Sequence, residues 1–310
     1  MGWVAVCRSS TVVVMLVVLA SCSSRPAPAS VAPRDASTPS ATSSASPSPS
    51  PLALDLPTID SYTSIGDSFA SGPALGKIRD DSGFCLRSDH NWASILATTL
   101  GTRTVDDVSC AGATTADVLS SHTVPGMVVP AQLDAVRATT DLVTVQIGGN
   151  DGGLFSSLVS ACAQGSGTCS TFADDTAPAI LRVSTDRVAR VLDAVHTKAP
   201  KARVLVVGYL RILPDTGTCK AVQISASDAR AAASAEVGLD SALASAARSG
   251  RAEYVSLRAL SKGHDACAGD NAWTNGATVA DGEGIAYHPR LAGMAAVAQA
   301  VAQHLSTTPR

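Results

Sequence analysis

Ser68 stands in the segment Ser64-Ile65-Gly66-Asp67-Ser68-Phe69-Ala70-Ser71-Gly72, directly after a short β-branched run. The glycine permits a tight turn, and a serine just beyond it begins a helix with its hydroxyl exposed and its backbone N–H free to donate. A Gly-Asp-Ser tripeptide by itself is more often a turn or a helix cap. Its weight comes from three further segments in a set order: Cys110-Ala111-Gly112-Ala113-Thr114, Gly148-Gly149-Asn150-Asp151 and Ala286-Tyr287-His288-Pro289-Arg290. Acyl transfer needs a nucleophile, a base and donors for the oxyanion. Ser68 suits the first role and His288 the second, with Pro289 expected at the first turn of a C-terminal helix so that the histidine sits at the helix mouth. The backbone N–H groups of Ser68 and Gly112, with the Asn150 amide, make a donor set in which each member contributes about 2.7–4 kcal/mol when judged by deletion. His90, His122, His196, His264 and His304 lack the helix-start context of His288.

These segments need a scaffold that brings them to one edge. Short β-branched runs alternate with longer Ala-rich stretches, the pattern of a parallel sheet covered on both faces. Strands are predicted at 61–65, 103–108, 142–147, 203–207 and 253–257. Helices are predicted at 91–99, 131–138, 177–198, 227–248 and 291–304. The segments 152–176, 210–224 and 262–289 read as long loops, which in a compact α/β domain are usually functional. Open α/β sheets place ligands where their strands end, and the candidate residues follow those ends.

Outside this region the chain carries the marks of export. Arg8 precedes an apolar run too short to span a bilayer, and Leu19-Ala20-Ser21-Cys22 resembles a bacterial lipobox. Residues 1–21 are expected to be a lipoprotein-type signal peptide, with Cys22 lipidated on the outer face of the cell membrane; a plain secretory leader with release is the alternative. Residues 22–56 are nearly all Ser, Ala, Pro and Thr, a composition that cannot offset its ordering entropy and reads as a tether. The catalytic domain is expected over 57–310, acting as a monomer. Setting aside Cys7 and Cys22 leaves Cys85, Cys110, Cys162, Cys169, Cys219 and Cys267, an even set that fits disulfides in an exported chain without choosing the pairing. No CxxC pair with a neighbouring histidine suggests a metal. With 23 Lys+Arg against 26 Asp+Glu and no basic run, nucleic acid is not an expected partner. GxSxG, HExxH and the Walker loop are absent.

Taken together, the four segments resemble the consensus blocks of the SGNH, or GDSL, hydrolase superfamily, from Tyr62 to Leu305. The resemblance implies Ser68 as nucleophile, Gly112 and Asn150 as oxyanion donors, and His288 as base. The cysteines and spacing are similar to those of secreted actinobacterial lipases and esterases. That group implies a three-layer α/β/α flavodoxin-like fold with a central parallel five-stranded sheet. It also implies three sequential disulfides and no cofactor or metal. One position departs from the pattern. Many members have Asp three residues before the histidine, where this chain has Ile285. A main-chain carbonyl of Ile285 or Ala286 is the expected substitute, giving a Ser-His dyad; Asp281 or Glu283 folding back is the alternative. Aromatic residues make up only 4% of the chain and leave few candidates for stacking on sugar, Trp92, Trp273, Phe69, Phe84, Phe155, Tyr209 and Tyr287 among them, so the expected substrate is an acyl lipid or simple ester. A carbohydrate-directed acetylesterase is the rival within the fold, and an envelope-anchored binding protein is the rival outside catalysis.

Overall fold

The structure is a computed structural model and describes residues 54–165 and 167–308. The expected leader, Cys22 and the expected tether up to residue 53 lie outside the described residues. In chain order, β1 (Ser61–Gly66) and the one-turn α1 (Ser68–Ser71) precede α2 (Trp92–Leu100), β2 (Thr104–Asp107) and α3 (Thr115–Leu119). A small hairpin, β3 (His122–Val124) and β4 (Met127–Val129), leads to β5 (Leu142–Gln146). Then come α4 (Leu154–Gln164), α5 (Thr168–Thr171), α6 (Ala177–Lys198), β6 (Arg203–Val207), α7 (Ala226–Ser249), β7 (Glu253–Val255) and α8 (Leu291–Thr307).

The main sheet has the order β2-β1-β5-β6-β7, and every pairing in it is parallel. Alternation along each strand builds two cores. In β6, Leu205 and Val207 face the layer of α2 and α8 with Trp92, Met294 and Val301, while Val204 and Val206 face Val188, Leu192 and Leu243 of α6 and α7. A strand buried on both sides must be continuously apolar, as Arg203-Val-Leu-Val-Val nearly is. Arg203 fits there because its guanidinium is taken up by Glu253 at 2.6 and 2.7 Å. The α/β/α class and five-stranded parallel sheet expected from the sequence are therefore present, in the strand order of flavodoxin-like sheets.

Two local expectations fail. Segment 131–138 is not a helix but a 3-10 turn, Gln132–Ala135, after which Val136 is extended. Helix-forming composition is overridden there because the Gln132 amide is drawn inward, pairing with both the N–H and the C=O of Gly66 at 2.9 Å beyond the end of β2. Segment 152–176 is not a loop: α4 and α5 occupy most of it, and a π-turn, Phe172–Thr176, runs into α6. Disulfides join Cys85 to Cys110, Cys162 to Cys169 and Cys219 to Cys267. No helix among the described residues is long and apolar enough to cross a membrane.

Candidate active site

The switch point of the sheet lies between β1 and β5, because the chain crosses from β1 outward to β2 and then returns to the other side of β1. Ser68 sits there. Asp67 caps α1, its carboxylate accepting the Phe69 N–H at 2.9 Å, so Ser68 occupies the first helical position where an N–H has no intrahelical partner. Gly66 is required by crowding: a Cβ there would lie 2.4 Å from that of Ala70. Helix α1 stops after one turn because Gly72 adopts the left-handed conformation.

His288 Nε2 is 2.8 Å from Ser68 Oγ, and its Nδ1 is 2.8 Å from the carbonyl oxygen of Ala286. A carbonyl only accepts, so Nδ1 carries the proton and the Nε2 lone pair faces the serine hydroxyl. The histidine is not at a helix mouth as expected. Pro289 lies two residues ahead of α8, in an antiparallel bridge to Thr274. The histidine is instead pinned by backbone bonds on either side, Asn275 N–H to His288 O and Arg290 N–H to Trp273 O, both 2.8 Å. Tyr287, at φ 59°, makes the turn that lets the Ala286 carbonyl reach back to the ring.

Of the alternative supports, Glu283 is committed to the Leu291 N–H at 3.1 Å at the start of α8, and the Ile285 carbonyl accepts the Asn275 amide at 3.2 Å. Phe69 and Phe155 pack on the imidazole at centroid distances of 4.9 and 5.2 Å. The resulting burial pushes the His288 pKa down to about 4, against the opposing pull of the Ala286 carbonyl.

The remaining segments are tied to one another by side chains. Gly112 has φ 79° in a turn closed by Ala113 N–H to Cys110 O at 3.0 Å, with nothing near the place of a Cβ, so the backbone angle and not space calls for glycine. The Cys85–Cys110 disulfide and the bond from Ala111 N–H to Cys85 O fasten this turn. Asn150 donates from its amide to Ala113 O at 3.1 Å. Asp151, fully buried, accepts from the Thr115 N–H at 2.8 Å and its hydroxyl at 2.7 Å. It braces the Asn150 segment against the one that carries Thr115.

Tyr209 and Phe155, which the sequence offered only as candidates for stacking on sugar, lie against Asp67 and His288. The Tyr209 hydroxyl donates to the Asp67 carboxylate and accepts from the Gly149 N–H at 3.1 Å, linking the Ser68 turn to the Asn150 loop. Burial lifts the Asp67 pKa to about 7, opposed by the bonds from Tyr209 and Phe69. Tyr209 comes two residues after β6, at the same sheet edge as the other segments, and that position was its only signal. Phe155 lay in the segment read as loop. The other histidines lie elsewhere: His264 stacks on Trp273 at 3.9 Å, His304 pairs with Glu253, His122 lies beside Asp117 and His90 beside Asp89. Among the described residues no group of three or more His, Cys, Asp or Glu is arranged to hold a metal ion.

A groove opens beside Ser68. Its walls are Leu154, Phe155, Leu158 and Val159 of α4, Ala232, Ala235 and Leu239 of α7, and Leu213 and Ile224 of the intervening chain. Apolar groups predominate.

Residues 64–296 match the model of the GDSL-like lipase/acylhydrolase family. Lipase 2 of Streptomyces coelicolor is 34% identical over 230 residues, covering 68% of this chain and 74% of that protein. The crystal structure of the extracellular lipase of Streptomyces rimosus superposes with a TM-score of 0.69 at 28% identity, over 80% of this chain and 99% of that one. Phospholipase A1 of Streptomyces albidoflavus gives 0.65 at 28% identity, over 80% and 100%. With the match spanning most of the chain and the fold shared along nearly the whole of both structures, the chain belongs to the GDSL-like lipase/acylhydrolase family of ester hydrolases.

Proposed function

We propose that the chain is an exported, serine-dependent carboxylic ester hydrolase that works with a Ser68-His288 dyad on acyl lipids or simple esters. The observation that carries this is the continuous line Ala286 carbonyl, Nδ1–H, Nε2, Ser68 hydroxyl, with 2.8 Å at each hydrogen bond. His288 takes the serine proton as Ser68 Oγ attacks the ester carbonyl, then returns it to the departing alkoxide. Water, activated by the same nitrogen, releases the acyl group. The Ala286 carbonyl holds the tautomer and faces the positive charge that forms on the ring, the work a carboxylate does in a triad. The N–H groups of Ser68 and Gly112 and the remaining amide hydrogen of Asn150 receive the oxyanion.

The apolar groove favours a hydrocarbon acyl chain over a glycan-borne acetyl group, which would leave those walls empty. Export rests on the leader, the tether and three disulfides, and the S. rimosus relative is itself described as extracellular. Lipidation of Cys22 is the anchoring reading; two acyl chains would hold the protein stably, where one gives only marginal binding.

The test is hydrolysis of a chain-length series of p-nitrophenyl esters by the oxidised domain beside Ser68→Ala and His288→Ala. Each variant is expected to lose about three orders of magnitude or more in kcat while melting as the wild type does. A folded wild type with no turnover on any ester sinks the proposal. For the anchor, Cys22→Ser is expected to move the full-length protein from the membrane fraction to the medium, and an unchanged distribution argues for plain secretion.

A further inference from the structure

The groove does not stay apolar along its whole length. Two strands, β5 and β6, lie between Ser68, after β1, and Arg258, which follows the edge strand β7, and Arg258 and Glu236 both line the groove. They form a braced polar pair: Arg258 lies 3.5 Å from Glu236 and 3.7 Å from Asp215. Glu236 also accepts from the backbone N–H groups of Ile212 and Leu213 at 3.3 and 3.2 Å, and Arg211 donates to the Arg258 carbonyl at 2.6 Å. Burial pushes the Glu236 carboxyl up to about 8 even against the pull of Arg258, as a poorly hydrated position requires.

An apolar channel that ends on a fixed polar pair has a definite length. Methylenes carried past Ala235 and Leu239 would have to lie against the guanidinium and the carboxyl group or break their hydrogen bonds, and gain nothing by it. We infer that Glu236 and Arg258 form the end wall of the acyl-binding groove and set the longest acyl chain the enzyme accepts. This rests on the reading above that the groove receives the acyl chain. Three inter-strand spacings of ~4.8 Å separate the strands that precede Ser68 and Arg258, a span of roughly 14 Å along the sheet edge. An extended backbone spans about 1.2 Å per bond, so that length takes about twelve carbons. The selectivity profile should rise to the laurate ester and fall beyond it.

The experiment measures kcat/KM for p-nitrophenyl butyrate, octanoate, laurate and palmitate in one fixed detergent micelle. It compares the wild type, the double variant Glu236→Gln/Arg258→Met, and Leu239→Trp. Gln keeps the acceptor for Ile212 and Leu213, and Met replaces the cation with an apolar stem. Removing the wall is expected to raise the palmitate-to-octanoate ratio by tenfold or more, at roughly fourfold per methylene newly buried. Filling the groove with Leu239→Trp is expected to lower the laurate-to-butyrate ratio of kcat/KM at least tenfold. Folded variants whose profiles run parallel to the wild type overturn the inference, as does a wild-type profile that keeps rising to palmitate. If the double variant does not fold, Leu239→Trp and the wild-type profile decide it. A wild type indifferent to chain length, with Ser68→Ala still inactive, removes the acyl role of the groove and the wall with it, while the dyad stands.

Discussion

The acid limb of the pH–rate profile is the sharpest consequence of how His288 is housed. Only the neutral imidazole accepts the serine proton, so kcat/KM falls as pH drops through the pKa that His288 has in the free enzyme. Burial moves that pKa from the ordinary 6.5 down to about 4. A shift of that size corresponds to about 3 kcal/mol against the imidazolium. No carboxylate is hydrogen-bonded to Nδ1 to reverse it; the partner is the Ala286 carbonyl.

The wild type should therefore hold a flat kcat/KM on a soluble short-chain ester from neutral pH down to about pH 5, and lose it only below that. Phe155→Ala is the perturbation. Its ring stands edge-on to the imidazole with centroids 5.2 Å apart and lines the groove, so removing it lets water reach the histidine. Recovering even half of the desolvation would raise the acid limb by about one pH unit. The assay is kcat/KM from pH 4 to 8 at constant ionic strength, with the fraction of active enzyme titrated at each pH to exclude unfolding. A wild-type limb near 6.5, or a Phe155→Ala limb that does not move upward, would refute the argument that burial sets the base.

Gly112→Ala forces a side chain into φ 79°, so stability should fall by about 1–2 kcal/mol and kcat by roughly tenfold or more as the N–H is re-aimed. Unchanged kcat with an unchanged melting curve would remove Gly112 from the donor set. Tyr209→Phe cuts the link between Asp67 and Gly149; it should destabilise by about 1–3 kcal/mol and lower kcat more than it changes KM. A loss confined to the melting temperature would make Tyr209 purely structural. Replacing disulfide pairs by serines one at a time should rank by loop length. Cys219–Cys267 closes 48 residues and loses about 4 kcal/mol, Cys85–Cys110 closes 25 and loses about 3.5, and Cys162–Cys169 closes 7 and loses about 2.4. Chemical denaturation reads the order, and an inverted order contradicts the entropic account.

Much of this arrangement was legible along the chain. Strands of β-branched residues and long alanine-rich helices announce themselves by period, and α6 begins and ends where its pattern does, at 177 and 198. Segment 131–138 misled because Gln132 reads as an ordinary helix former until Gly66, 66 residues earlier, needs a partner beyond the end of β2. Segment 152–176 misled in the other direction. Its paired glycines and cysteines look like loop, yet the apolar stripe of Leu154, Leu158 and Cys162 packs as α4 once α7 is beside it.

The chemistry divides along the same line. Residue type and order pointed to the groups proposed for the chemistry, because a serine after a tight turn, a glycine at positive φ and a histidine suit those roles. What supports His288, how dry its surroundings are, and how far the groove runs were decided only in three dimensions. Each depends on atoms brought together by sheet order: the Ala286 carbonyl against Nδ1, Phe69 and Phe155 against the ring, and Glu236 against Arg258. Proton affinity and cavity length are set by distance and exclusion of water, and neither is a property of a residue's neighbours in sequence.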